Sequence, residues 1–380
     1  MFSRRLYSTA KAPLDAAKLQ ITLAKERQVY PSPDKLVFGH IFSDHMLTAD
    51  WDAEQGWHAP QIQPFANFSM HPASCVFHYG FECFEGLKAF RDVNGELRMF
   101  RPDRNMARLN SSSKRLTLPG FDEQAGLELL QRFVRLEESA IPEGLGFSLY
   151  LRPTMIGTQP TLGISAPKRA RLFVIASPVG PYYSSGFKAI KLEATDWAVR
   201  AWPKGTGDKK LGGNYAPCVL PQVESASRGY AQNLWLFDGY LTEVGSMNLF
   251  LVFHNKQDDT FELVTPPLDG TILEGITRLS ILELARERLD PKKWKVNERK
   301  VHIDEVISRQ SNGELLEVFG SGTAAIVSPV EEIGYHGQQI TVPLPPNKAA
   351  GPITESVQKW IQDIQYGIVD HPYCPVVPRF

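Results

Sequence analysis

At 380 residues the chain is longer than the roughly 250–300 residues over which one hydrophobic core keeps growing, so two domains are expected. Hydrophobic residues at 43% and charged residues at 22% are ordinary for a globular enzyme, and a net charge of −1 with no basic block argues against a nucleic-acid partner. No apolar run approaches the ~20 residues of a membrane span, and Cys75, Cys83, Cys218 and Cys374 are too scattered for a disulfide framework or a Cys-x-x-Cys metal pair, which suits a reducing compartment.

Along the chain, residues 1–10 come first, carrying Arg4, Arg5 and several hydroxyls with no acid before Asp15. That is the composition of a mitochondrial presequence, and Arg5-Leu6-Tyr7-Ser8 is similar to a matrix-peptidase cleavage site. The mitochondrial matrix is therefore the expected destination, with the cytoplasm as the alternative. Residues 36–39 and 62–65 read as short strands, and 78–86 opens like a helix. Segments 87–91 and 97–100 face each other across Asn94-Gly95, a strong hairpin signal. Pro102 and Asp103 suit a first helical turn, 105–116 carries helical spacing, and 121–139 is a second amphipathic helix. Strands at 147–153 and 171–176 complete an α+β first half, a small domain over 11–177. Proline, glycine and serine gather at 177–186, so an interdomain loop is placed at 178–187 and a larger domain at 188–380. Within the latter, 189–195, 233–237, 249–253, 261–265 and 315–319 read as strands, and 215–228 and 277–287 as helices.

The chemistry concentrates in Lys209-Lys210-Leu211-Gly212-Gly213-Asn214-Tyr215, followed by Leu241-Thr242-Glu243-Val244-Gly245-Ser246-Met247-Asn248. A lysine amine bonds to an aldehyde cofactor only when partly deprotonated, which burial beside another cation achieves. Glycines let backbone approach a flat ring, a phenol can bond the ring oxygen, and a carboxylate can keep a pyridine nitrogen protonated. Lysine, tyrosine and Glu243 together form the set a pyridoxal phosphate enzyme needs. Spacing alone does not choose between Lys209 and Lys210, because adjacent extended residues point opposite ways. A phosphate needs an arginine or a helix N-terminus. Arg101, Arg104 and Arg108 lie at helical spacing, and the loops Leu273-Glu274-Gly275-Ile276-Thr277-Arg278 and Gly320-Ser321-Gly322-Thr323-Ala324 can offer backbone N–H groups.

The run Glu243-x-Gly245-x-x-Asn248-Leu249-Phe250, then Leu263-Val264-Thr265, then Leu273-x-Gly275-Ile276-x-Arg278 resembles the class-IV aminotransferase pattern. Phe84-Glu85-Gly86-Leu87-Lys88-Ala89-Phe90, Phe100-Arg101-Pro102, Lys210-Leu211-Gly212-Gly213-Asn214-Tyr215 and Phe319-Gly320-Ser321-Gly322-Thr323-Ala324 are similar to the eukaryotic branched-chain aminotransferases. The similarity runs from about residue 36 to about residue 330. It implies a mixed α+β and α/β architecture, the two-domain fold-type IV of pyridoxal phosphate enzymes, with the active site at the domain interface. It also implies exchange of an amino group between L-leucine, L-isoleucine or L-valine and 2-oxoglutarate. Lys210 would be the catalytic amine, Tyr215 and Glu243 would hold the cofactor ring, and Arg108, Ile276, Thr277 and Thr323 its phosphate. Ser246, Ala324 and Tyr79 would meet the substrate carboxylate, while Phe38, Phe84 and Tyr150, backed by Arg152, would wall the side-chain pocket. Tyr182 would belong to a covering loop. Leu162 and Ile164 match residues that the family inserts from a partner subunit, so a homodimer is implied. Some relatives carry a redox Cys-x-x-Cys where Ala325 and Ser328 stand here, so thiol switching of that kind is not expected. The alternative enzyme reading is a fold-type IV lyase or D-amino-acid transaminase. It would keep Lys210, Glu243 and Arg108 and change the pocket.

Overall fold

A computed structural model describes residues 11–180 and 187–380. The expected presequence and Tyr182 lie outside these described residues. The chain builds two nine-stranded sheets in succession. The first runs Gln20–Ile21, Gln61–Pro64, His45–Asp52, Arg169–Val179, Ser148–Gly157, Leu87–Arg91, Leu97–Met99, with Gly56–Trp57 and Glu82–Phe84 attached at the side. Its pairings are antiparallel except at Gln20–Ile21, as expected where short connections join neighbouring strands. In the second sheet, Tyr240–Val244, Gln232–Phe237, Ile190–Thr195, Ile326–Tyr335, Leu315–Gly322 and Met247–Asn255 follow one another. Tyr240–Val244 also pairs with Met247–Asn255, so these strands close into a barrel, and Thr260–Thr265 and Trp294–Glu298 extend it outward.

The strand alternation shows why the second sheet takes this form. Along Met247–Asn255, Leu249, Leu251 and Phe253 fill the barrel interior with Leu192, Leu234 and Val330. Phe250 and Val252 face the other way, onto helices Ile276–Arg288 and Pro352–Gln365. A strand covered on both faces must be apolar at every position, and this one nearly is. In the first half, helices Pro102–Arg115 and Glu123–Leu136 lay Met106, Leu109, Leu129, Leu130 and Phe133 on the sheet. The second of these starts where the Asp122 side chain accepts from the Ala125 N–H, satisfying a donor the helix leaves unpaired. The Asn94-Gly95 hairpin forms as expected, with Gly95 at φ +81 and the Asp92 carboxylate accepting from the Asn94 and Glu96 N–H groups.

Three segments depart from expectation. Residues 36–39 form a turn, closed by the His40 N–H on the Val37 carbonyl with Gly39 at φ +72, which no strand accommodates. Residues 78–86 do not open a helix. Helix Cys75–Tyr79 ends at left-handed Gly80, and Glu82–Phe84 is a strand paired to Ser148–Gly157. Strand Ile326–Tyr335, absent from the strands read in the sequence, lies at the centre of the second sheet with Pro329 inside it. The C-terminal tail, expected with the second half, returns to the first sheet. Val376 bridges Arg98, the Val377 N–H donates to the Leu97 carbonyl, and the Arg101 N–H donates to the Tyr373 carbonyl.

Candidate active site

The segment bearing Lys210 leaves the second sheet and docks on the first half. The Phe84 N–H donates to the Lys210 carbonyl at 3.0 Å, and the Lys210 N–H donates to Ser112 Oγ at 3.0 Å. Gly212 allows the close approach, because a Cβ there would overlap the Glu82 carboxylate. Asn214 Nδ2 donates to the carbonyls of Thr206 and Lys209, each at 2.8 Å, and fixes the bend. Its two lysines then diverge. Lys209 Nζ pairs with Asp208 at 2.6 Å, whereas Lys210 borders a cavity of about 360 Å³ and its Nζ donates to the Tyr215 hydroxyl at 3.0 Å.

Burial pushes the Lys210 ammonium down to about 8, and the positive Arg108 nearby adds to the effect. Tyr215 is pushed up to about 12 by burial and by the Glu243 carboxylate. Glu243 does not itself line the cavity. It sits 2% exposed behind the lining residues Asn248 and Leu273, accepting from Asn248 Nδ2 at 3.2 Å and the Leu273 N–H at 2.7 Å. Burial raises the Glu243 pKa, and Arg200, whose Nη2 lies 2.9 Å from its Oε2, works against that rise.

An anion cradle occupies another part of the same wall. Helix Ile276–Arg288 begins after Gly275 with no side-chain cap among the described residues, which leaves its first N–H groups to meet an anion. Gly275 has to be glycine, since a Cβ would overlap the Asn248 amide oxygen. Arg108 stands beside it, its Nη1 donating to the Glu274 carbonyl at 2.8 Å while Nε and Nη2 grip Glu85 at 2.7 and 2.9 Å. Thr277 and Thr323 complete this part of the lining.

Phe38, Phe84, Tyr150 and Arg152 form the remaining wall, with Ser246 and Ala324 also in the lining. Phe38 meets Tyr150 edge to face at 4.9 Å, and Arg152 lies 4.7 Å over the Phe84 ring. Arg152 Nη2 donates to the Tyr150 hydroxyl at 2.8 Å, while its buried Nε has no partner among the described residues. Tyr79, Leu162 and Ile164 are not brought to this cavity. They lie together on the surface, the Tyr79 hydroxyl donating to the Leu162 carbonyl, with Leu162 66% and Ile164 77% exposed.

Several residues at the site carried no assignment from sequence. Glu85 and Asn248 were in view inside the motifs, but a motif does not say that Glu85 clamps Arg108 or that Asn248 joins Glu243 to the helix loop. Arg200 had no signal beyond being a lone cation in an apolar stretch. An amine held near neutrality, a carboxylate behind Asn248 and free helix N–H groups beside an arginine suit a flat aldehyde that carries a dianionic phosphate. Among the described residues no cluster of three or more histidine, cysteine, aspartate or glutamate side chains could hold a metal ion.

The family model for amino-transferase class IV matches residues 82–333. The cytosolic branched-chain-amino-acid aminotransferase of Saccharomyces cerevisiae is 56% identical over 362 residues, covering 95% of this chain and 96% of that one. The mitochondrial enzyme of the same organism is 55% identical over 372 residues, covering 97% and 94%. Among solved structures, the branched-chain amino acid aminotransferase of Thermobaculum terrenum in its PLP form superposes with a TM-score of 0.68 at 21% identity, over 88% of this chain and 99% of that one.

Proposed function

The chain belongs to the class IV amino-transferases, and we infer that it exchanges the amino group of L-leucine, L-isoleucine or L-valine with 2-oxoglutarate as a branched-chain-amino-acid aminotransferase. Pyridoxal phosphate is its cofactor; when bound, it supplies an aldehyde for the amino group and a ring that withdraws electrons from the α-carbon. The observation that carries the chemistry is the Lys210 amine at the cavity with its pKa held at about 8. With that value about a tenth of the amine is neutral at pH 7. Its Nζ can therefore take a proton from the substrate α-carbon and give it back later in the exchange.

In this reading Tyr215 bonds the ring oxygen, and Glu243, whose charged form Arg200 favours against burial, faces the ring nitrogen. Arg108, the N–H groups of Ile276 and Thr277, and Thr323 hold the phosphate. Ser246 and Ala324 meet the substrate carboxylate. Phe38, Phe84 and Tyr150 bury an aliphatic side chain, each methylene contributing about 0.8 kcal/mol. Glutamate enters the same pocket by directing its side-chain carboxylate to the Tyr150 hydroxyl and the unpaired Arg152 Nε. The cofactor band in the absorbance spectrum should shift on adding L-leucine and return on adding 2-oxoglutarate. A spectrum indifferent to L-leucine overturns the assignment.

The exposed Tyr79, Leu162 and Ile164 support a homodimer in which this patch reaches the cavity of a second copy, so Tyr79 acts on the neighbour's substrate. Equilibrium sedimentation tests it, and a monomer at micromolar concentration removes it. We place the domain boundary in the stretch 178–187, whose first two residues still belong to strand Arg169–Val179. Relatives include cytosolic and mitochondrial proteins, and the composition of residues 1–10 favours the matrix. Imaging a tagged chain with and without those ten residues decides it.

A further inference from the structure

Strand Leu87–Arg91 runs between two cores. Leu87 and Ala89 belong to the cluster on the first sheet, and Phe90 belongs to the cluster beneath the second. Side chains alternate along a strand, so Lys88 leaves on the side opposite Leu87 and Ala89, toward the second half. There Lys88 is 8% exposed, and its ammonium donates to the Ala324 carbonyl at 2.8 Å. It has no ion pair among the described residues, and burial alone brings its pKa down to about 8. An ammonium buried without a counter-ion is costly to keep charged.

The acceptor belongs to an unusual turn. Thr323, Ala324 and Ala325 join Leu315–Gly322 to Ile326–Tyr335, and Ile326 closes the turn at φ +64. A β-branched residue in the left-handed region is strained, so the turn needs holding. The N–H groups of Thr323, Ala324 and Ala325 donate to nothing among the described residues. The Ala324–Ala325 peptide is trans, so a carbonyl turned toward Lys88 sends the Ala325 N–H the opposite way. All three residues line the active-site cavity, which Lys88 does not touch. Lys88 instead borders a separate hollow of about 20 Å³ shared with Thr277 and Thr323.

We propose that Lys88 is a positioning residue for carboxylate binding: it ties down the strained Thr323–Ala325 turn from behind so that the free N–H groups meet the substrate α-carboxylate, the anion that answers its charge. This rests on the assignment of Ala324 to the substrate carboxylate made above. Leucine and glutamate differ in side chain but share that carboxylate, so both depend on Lys88 alike.

The test uses the holoenzyme with Lys88→Met, which keeps length and removes charge and donor, saturated with pyridoxal phosphate. Titration with 4-methylvalerate, followed by cofactor absorbance, reads carboxylate binding without turnover. Its Kd should rise about tenfold or more, as loss of a charge-assisted bond implies, and KM for L-leucine and for 2-oxoglutarate should rise together. The value of kcat should change less than about threefold, since the lost interaction acts equally on ground and transition states. Tm should hold or increase, because a lone buried charge is gone. A folded Lys88→Met enzyme that binds 4-methylvalerate within about twofold of the wild type overturns the proposal, whatever its Tm. Should the methionine variant not fold, Lys88→Gln goes through the same titration with the same criterion. Wild-type enzyme that exchanges nothing between leucine and 2-oxoglutarate would instead sink the functional assignment beneath it.

Discussion

Two hollows in this molecule invite comparison, and the larger is not the site. The larger, about 860 Å³, lies over strands His45–Asp52 and Arg169–Val179 of the first sheet, among Asp50, Asp52, His58 and Arg171. Its charges answer one another in partly exposed pairs: Arg171 grips Asp50 at 2.7 and 2.9 Å, and His58 bonds Asp52 at 2.6 Å. The smaller, about 360 Å³, joins the two halves of the chain and holds groups that burial has moved off their ordinary values, Lys210 downward and Tyr215 upward. Volume measures how much could enter. Desolvated groups left waiting for a partner determine what can happen there.

The sharpest test of that contrast lies within two adjacent residues. Lys210→Ala should remove transamination, a loss of about 10⁴-fold or more for a residue that both bonds the aldehyde and moves the proton. Lys209→Ala should leave kcat within about threefold, because the Lys209 ammonium is engaged by Asp208 away from the cavity. Equal losses in the two variants would break the distinction. The same shift has a signature in stability. Lys210 titrates near 8 in the fold and near 10.5 in the unfolded chain, so between these values the unfolded chain holds more protons and stability rises with pH. Below pH 8 the cost of the buried ammonium is felt in full. Cofactor-free Lys210→Met should therefore be more stable than wild type at pH 7 by up to about 3 kcal/mol, with the advantage gone by pH 10.5. Urea unfolding at both pH values measures it.

A smaller effect is expected one layer back. Arg200→Gln leaves Glu243 buried with only Asn248 and the Leu273 N–H, so its pKa climbs further and the carboxylate protonates more readily. Activity should fall on the order of tenfold to a hundredfold at pH 6.5, as for other residues that orient a site ligand, and recover as pH rises through the new Glu243 pKa. A loss that stays constant from pH 6 to pH 9 would mean that Arg200 only packs.

How far the site could be read from residues alone follows the same division. Residue types and spacing offered a lysine, a tyrosine and Glu243, but the choice of Lys210 over Lys209, and of Arg108 and Thr323 for the phosphate, came from the resemblance to class-IV aminotransferases; the hairpin at Asn94-Gly95 was legible because turn geometry is local. Arg200 was not legible, since its meaning lies in a contact with Glu243, more than forty residues away in the chain. Strand Ile326–Tyr335 went unread, and the return of Val376 and Val377 to the first sheet was hidden by the absence of any periodic pattern in the tail. Tyr79 was assigned by similarity to the substrate carboxylate, yet it lies in the outer patch with Leu162, which no local pattern announces.

The smallest expected effect probes the larger hollow. Asp50 and Arg171 face each other directly across strands His45–Asp52 and Arg169–Val179, with Arg171 also stacked 5.0 Å over Phe68. Asp50 is 53% exposed, so water screens the pair and its coupling should be about 0.5 kcal/mol in a double-mutant cycle of Asp50→Ala and Arg171→Ala. Part of the cost of Arg171→Ala will be lost packing on Phe68, which the cycle separates from the charge interaction. Neither substitution should move KM for L-leucine, because nothing that binds at Lys210 contacts this face. A change of more than about threefold in that KM, with stability shifted by no more than the cycle predicts, would make the paired charges of the larger hollow part of the reaction, and the contrast between the two hollows would fail.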